Sequence, residues 1–370
     1  MNVLWIFNHP APYKIKFFNE LGKKVNLQVI FERDKEGDRN DIFYSEKAYN
    51  FKMFIANSIK LGSINNYTHA PIKYLKKNKY DVVVINGWRT ITERRVIKYC
   101  KRKKIPYIFA INGGIIPQSE PSFKYNIKKK YISGATSYLS PDKNSNKYLV
   151  HYGAIESKIN IFPYSNILEN EILKKPLEQK EVISLRKKLN LEGDVIFVSS
   201  GQFIERKNYI KLIQIWAKVP SNYSLYITGE GPLKEKYQEE IKRLGLKNVK
   251  LVNYLAHPQL FTLYDACDAF VFISKEDIYG HVVLEALSQG LPVIGSPNAN
   301  ALTKLVKEGE NGHIVDINDD ESILNGILNL LGPEAKLKSI EVAKLNTIEK
   351  CASFHIDLFK QYYEEINKNE

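Results

Sequence analysis

The chain has 370 residues, 44% of them hydrophobic and 26% charged, which suits two globular domains and excludes a disordered chain. Cys100, Cys267 and Cys351 have neither metal-ligand nor disulfide-framework spacing, which fits a reducing cytoplasm; no apolar run reaches the roughly 18 residues of a membrane span, and the start MNVLWIFNHP is interrupted too soon for a signal peptide. The net charge of +13 is uneven: residues 1–165 hold 29 Lys and Arg against 12 Asp and Glu, while the remainder is slightly acidic, so the first part is expected to meet a membrane, a phospholipid-linked substrate or nucleic acid, or else to be kept soluble by its charge.

Asn2–Phe7 is a predicted strand, followed by the loop Asn8–Tyr13, a helix with Ile15, Phe17, Phe18 and Leu21 on one face, and a strand over Asn26–Phe31. Ligands bind at the carboxyl ends of strands in open α/β sheets, so His9 stands either as a ligand contact or as a turn histidine. Residues 34–66 read as polar and irregular, with a short apolar run at Phe51–Ile55. A buried strand follows at Asp81–Asn86, then a basic helix over Ile91–Lys104 and a strand over Pro106–Ile111. Asn112, Gly113 and Gly114 follow that strand, where two glycines permit close backbone approach to a ligand. Pro121–Ile132 interleaves Phe123, Tyr125, Ile127, Tyr131 and Ile132 with Lys124 and Lys128–Lys130, a mixture suited to an anionic bilayer interface unless the apolar set packs inward. A strand over Ala135–Ser140, a helix over Asp142–His151 and a strand over Ile159–Phe162 complete a doubly wound parallel sheet. Pro163–Glu181, with two prolines and little periodicity, reads as a linker.

The pattern then restarts. A strand over Asp194–Ser200 runs into Gly201, Gln202, Arg206 and Lys207, ahead of a helix over Tyr209–Lys218. Fixed cations in such a place can hold adjacent phosphates, although an Arg-Lys pair after a strand is also common on surfaces. The strand Leu225–Thr228 ends in Gly229-Glu-Gly231, the strand Asn248–Val252 is followed by Tyr254 and Leu255, and Leu260–Ala266 reads as a short helix. After the buried strand Asp268–Ile273, Asp277-Ile-Tyr279-Gly280 makes a turn into a helix at His281 and Val282. That helix carries Glu285 and stops at Gly290 and Pro292. A helix starting directly after a glycine turn offers unpaired N–H groups and its positive dipole end to an anion, best a phosphate. Glu285 is expected to face the same site, where a carboxylate accepts from sugar or ribose hydroxyls.

The stretch Asp277-Ile-Tyr-Gly280-His-Val-Val-Leu-Glu285-Ala-Leu-Ser-Gln-Gly290-Leu-Pro-Val resembles the donor-site signature of family 4 retaining glycosyltransferases with the GT-B fold, with Asp277 in the place of the first glutamate. Gly201 to Lys207 is similar to the family's second signature, with Gln202 where an arginine is frequent. The resemblance is specific over about residues 195–316. It implies a GT-B α/β fold: two Rossmann-like doubly wound domains facing across a cleft. The acceptor domain would be residues 1–165, joined by a C-terminal helix over 348–370, and the nucleotide-sugar domain residues 166–347. It further implies that Arg206, Lys207 and the helix start at Gly280, His281 and Val282 hold the departing diphosphate, that Glu285 holds the ribose and Asp277 the donor sugar, with Tyr279 beside them, and that Tyr254 or Leu255 lies at the base. On the acceptor side it brings in the loop of His9; the histidine many relatives carry near Asn112–Gly114 is absent.

The implied activity is retaining transfer of a hexosyl unit from a nucleotide-diphosphate sugar to a glycan or lipid-linked acceptor, in bacterial surface polysaccharide synthesis, without metal or other cofactor. The expected location is the cytoplasm, at the inner face of the membrane. Three rivals remain: a non-catalytic GT-B subunit binding a partner protein or glycan, a nucleic-acid binder, for which no reading motif is present, and a nucleotide-sugar epimerase.

Overall fold

The computed structural model describes residues 1–35, 47–61 and 65–368; 36–46 and 62–64 of the stretch read as irregular lie outside the described residues. The chain divides into two compact units, one formed by Met1–Asn166 with Thr347–Glu370 and the other by Ile167–Asn346.

The first unit runs β1 (Asn2–Phe7), α1 (Pro12–Gly22), β2 (Asn26–Phe31), β3 (Lys52–Ile55), β4 (Ile59–Leu61), β5 (Asn65–Tyr67), α2 (Ala70–Lys77), β6 (Val82–Asn86), α3 (Ile91–Lys103), β7 (Ile108–Ala110), α4 (Ser122–Ile132), β8 (Ser137–Ser140), α5 (Lys143–His151) and β9 (Ile159–Ile161). Its seven-stranded sheet has the order β3-β2-β1-β6-β7-β8-β9, and the pairings are parallel. The near-continuous apolar runs of β1, β2 and β6 follow from burial on both sheet faces. The antiparallel pair β4–β5 lies where the sequence pattern shows only irregular polarity.

The second unit runs α6 (Gln179–Lys188), β10 (Val195–Ser200), α7 (Tyr209–Trp216), β11 (Tyr223–Thr228), α8 (Lys234–Arg243), β12 (Val249–Val252), α9 (His257–Asp265), β13 (Ala269–Phe272), α10 (His281–Ser288), β14 (Val293–Gly295), α11 (Asn300–Leu305), β15 (Gly312–Ile314), α12 (Asp320–Leu328) and α13 (Pro333–Leu345). Its six strands are parallel in the order β12-β11-β10-β13-β14-β15, the doubly wound order whose switch point lies between β10 and β13. The core gathers Phe197, Leu212, Trp216, Leu225, Val271 and Ile294.

The last helix, α14 (Ile348–Lys368), belongs to the first unit and packs on α1. His355 of α14 lies 5.7 Å from the Trp5 ring and 4.9 Å from that of Phe17.

Two expectations are corrected. The presumed linker ends inside α6, taking in its first three residues, Gln179–Glu181: the Glu178 amide donates to Glu181 Oε2 at 2.8 Å, and Val182 beyond the linker is buried. Its charged sequence hides the helix because Val182 is its one buried residue. In α4, Phe123 and Ile127 are exposed while Tyr131 and Ile132 are buried. Lys128 is not a surface cation: it pairs with Glu120 at 2.5 Å and donates to Tyr152 Oη at 2.9 Å.

Candidate active site

The strands flanking the switch point of the second unit each end in a turn that carries charge. After β10, Gly201 has φ +154°, and a Cβ there would stand 3.0 Å from Tyr209 Oη and 3.2 Å from Lys207 Cε. Only glycine lets the chain leave the strand this close to the lysine stem. Arg206 and Lys207 lie in a single 3₁₀ turn that Asn208 closes in the left-handed region, φ +60°. Asn208 Nδ2 donates to the Ile273 carbonyl at 3.2 Å, tying this turn to the end of β13. A second tie runs the other way, because the Arg206 carbonyl accepts from the Lys275 amide and from Ser274 Oγ, both at 2.8 Å.

The two turns converge on Asp277. Its Oδ2 accepts from Lys207 Nζ at 2.6 Å and from Arg206 Nη1 at 2.8 Å. Lys207 is 7% exposed and its ammonium lies 4.6 Å from the Phe272 ring centroid, whereas Arg206 is 41% exposed. Burial by itself pushes the Asp277 carboxyl up; Lys207 and then Arg206 outweigh it and hold the group below its ordinary value. The Asp277 amide donates to the Asn298 carbonyl at 3.1 Å, so the backbone that presents the acid is anchored as well.

Gly280, φ +92°, turns the chain into α10, and a Cβ at that position would press on Phe272 at 3.3 Å. The first amides of α10 follow at His281 and Val282, and the dipole of the helix starts there. Tyr279 is buried, its carbonyl accepting from Ala301 at 2.7 Å and its ring 5.0 Å from that of His281. One turn into α10, the Glu285 side chain is 12% exposed, and its Oε1 lies 4.0 Å from His257 Nε2. Tyr264, which bonds Ser200 Oγ at 2.6 Å, has its hydroxyl pushed up by burial and then by the Glu285 charge.

The structure therefore joins Arg206, Lys207 and Asp277 through direct bonds, places Tyr279, Gly280, His281 and Val282 on the chain that follows, and sets Glu285 beside His257. Gln202 lies in the β10 turn, where its carbonyl accepts from the Ile204 amide at 3.0 Å. Tyr254, 42% exposed, and Leu255 follow β12 in the same unit. His9 and Asn112–Gly114 belong to the first unit, after β1 and β7. The His9 carbonyl accepts from Ala11 at 2.9 Å, a turn geometry. Asn112 Oδ1 is buried with no hydrogen-bond partner among the described residues, and a Cβ on Gly114 would overlap the Tyr148 ring at 2.5 Å.

Sequence reasoning missed His257 and Tyr264. It began that helix at Leu260, although Pro258 marks the true first turn and so puts His257 at the helix start.

Residues 182–344 match a family described as glycosyl transferases group 1. A lipopolysaccharide core biosynthesis glycosyltransferase of Rhizobium meliloti is 25% identical over 62% of this chain and 67% of its own. An N-acetylgalactosamine-N,N'-diacetylbacillosaminyl-diphospho-undecaprenol 4-alpha-N-acetylgalactosaminyltransferase of Campylobacter jejuni is 26% identical over 54% of each chain. Anabaena HepE, solved in complex with UDP and glucose, superposes with a TM-score of 0.72 at 15% identity, over 97% of this chain and 99% of its own. That likeness gives the fold, two Rossmann-like units of the GT-B type.

Proposed function

From the match of residues 182–344 to the glycosyl transferases group 1 family, we propose that the chain moves a hexosyl unit from a nucleoside-diphosphate sugar, with retention of configuration, onto a glycan or lipid-linked acceptor in bacterial surface polysaccharide synthesis. The observation that carries this reading is the meeting of Lys207, Arg206 and Asp277 beside the start of α10. A departing diphosphate is the main charge that develops in such a transfer, and preorganised cations with helix amides are what stabilise it. Lys207 and Arg206 take the phosphates, with Asp277 holding both cations until the donor arrives and then turning to the donor sugar. The α10 amides complete the anion site, Glu285 receives the ribose hydroxyls, and Tyr254 and Leu255 border the base. Charge neutralisation falls to these groups, so the reaction proceeds without a metal ion.

The acceptor class is supported by the names of the two relatives, one in lipopolysaccharide core biosynthesis and one acting on a diphospho-undecaprenol substrate. It is supported also by the basic first part of the chain, with His9 and Asn112–Gly114 on the acceptor side. Peripheral contact with an anionic membrane is assigned to α4, where Phe123 is 62% exposed among the exposed Lys124, Lys129 and Lys130. Among the described residues no helix is long and apolar enough to cross a membrane.

The test is thermal shift with UDP-, GDP-, ADP- and CMP-sugars and the free nucleotides, followed by transfer assays and the anomeric configuration of the product by NMR. Stabilisation by one nucleotide family and a retained anomer support the reading. An inverted anomer removes the retaining mechanism, and no shift at millimolar nucleotide turns the assignment to a non-catalytic GT-B subunit.

A further inference from the structure

We infer that His257 orients Glu285 for the ribose, as a positioning residue held between two carboxylates. The inference rests on the reading of Glu285 as the ribose-binding group. His257 Nε2 faces Glu285 Oε1 at 4.0 Å, and its Nδ1 faces Glu171 Oε1 at 3.5 Å. These separations exceed a formed hydrogen bond, so the coupling is electrostatic, but the three groups are 12% to 32% exposed, where screening is partial.

Each end of the row is fixed. The Glu171 carboxylate accepts from the Leu168 amide at 2.7 Å through its other oxygen, and the Glu171 carbonyl accepts from Gln289 Nε2 at 2.9 Å. The imidazole opens α9, with Pro258 next to it in the first turn, and its ring lies 4.1 Å from that of Phe261 at 46°. On the far side, Ser288 Oγ donates to the Glu285 carbonyl at 2.7 Å. A ring so held sets the plane of the Glu285 carboxylate, and a vicinal diol is recognised by the direction of that plane as much as by its charge.

The experiment is isothermal titration of the full chain with UDP, GDP and ADP, each beside its 2′,3′-dideoxy analogue. Wild type, His257→Ala, His257→Gln, Glu285→Gln and the double variant His257→Ala/Glu285→Gln are compared. Wild type is expected to prefer the ribonucleotide by about tenfold or more. His257→Ala should remove most of that preference while leaving affinity for the dideoxy analogue unchanged. His257→Gln, which fills the place of the ring without its charge, should lose the preference as His257→Ala does. In the Glu285→Gln background His257→Ala should have no further effect, the non-additivity expected of two residues acting as one unit. Equal weakening of both nucleotides by His257→Ala would mean a purely structural role and overturn the inference, as would an unchanged preference. A full preference retained in Glu285→Gln, or no preference in wild type, would overturn the ribose reading itself.

Discussion

The two units share one architecture, yet the carboxyl ends of their sheets handle buried acid in opposite ways. In the first, Glu32 follows β2 at 1% exposure, and its Oε1 accepts from Thr90 Oγ1 at 2.8 Å. Glu93 accepts from the Thr90 amide at 2.9 Å in the capping box of α3. Burial pushes Glu93 up to about 7 and, with the Glu93 charge beside it, raises Glu32 well above the carboxylate range. These acids escape their burial cost by keeping protons. In the second unit Asp277 stays ionised because Lys207 and Arg206 are bonded to it. A proton-held acid offers an anion nothing, whereas a carboxylate bridging two cations marks where an incoming diphosphate can compete. The contrast, more than the presence of charge, is what directs the proposed diphosphate site to the second unit.

The largest expected effect breaks the second arrangement. Lys207→Ala should abolish measurable transfer and weaken nucleoside diphosphate binding by about 100-fold, with the circular dichroism spectrum unchanged. Glu285→Ala should likewise abolish transfer; near-normal turnover in either variant would remove that residue from the site. Next, Asp277→Ala strands the buried Lys207 ammonium and should cost about 3 kcal/mol in urea unfolding, with Asp277→Glu recovering most of it. A loss indistinguishable from zero would show that the cations need no counter-charge.

The first unit supplies the opposite sign. Glu93 keeps its proton in the fold to about pH 7 but releases it near 4.5 once unfolded, so the folded state binds more protons across that window. Its contribution to stability is full below pH 4.5 and declines as the pH rises to about 7. Glu93→Gln, which preserves the capping box, should flatten this slope and be more favourable relative to wild type at pH 8 than at pH 5. Identical slopes in denaturant titrations would contradict the protonated pair. The smallest effect is at the surface: neutralising Lys124, Lys129 and Lys130 should weaken partitioning onto anionic vesicles by about 1 kcal/mol each, and less at high salt. Unchanged partitioning would take the membrane role away from α4.

Much of this was legible in the chain. The apolar runs of β1, β6, β10 and β13 announce strands buried on both faces, and Gly280 and Gly290 bracket α10 as the chemistry of helix ends requires. Lys207 was named from its match to the family's second signature, and Glu285 from its place about a turn into the predicted helix together with the donor-site signature. What stayed hidden depends on neighbours remote in sequence. Lys128 looks like a surface cation until Glu120 and Tyr152 close on it. His257 has meaning only beside Glu171 and Glu285, and nothing in the sequence shows that Arg206 and Lys207 share one oxygen of Asp277. The proton-held pair of Glu32 and Glu93 was equally silent, because an acid carries no sign in the sequence of whether a proton or a cation will neutralise it.

The central claim is that Lys207 and Arg206, with the start of α10, hold a nucleoside diphosphate. It is tested most directly by calorimetric titration of UDP, GDP and ADP, with the matching monophosphates, against wild type and Lys207→Ala. One diphosphate binding clearly more tightly than its monophosphate, with that advantage lost in the variant, is the predicted result. Equal binding of the diphosphate by both proteins, or none by wild type at millimolar concentration, would contradict it.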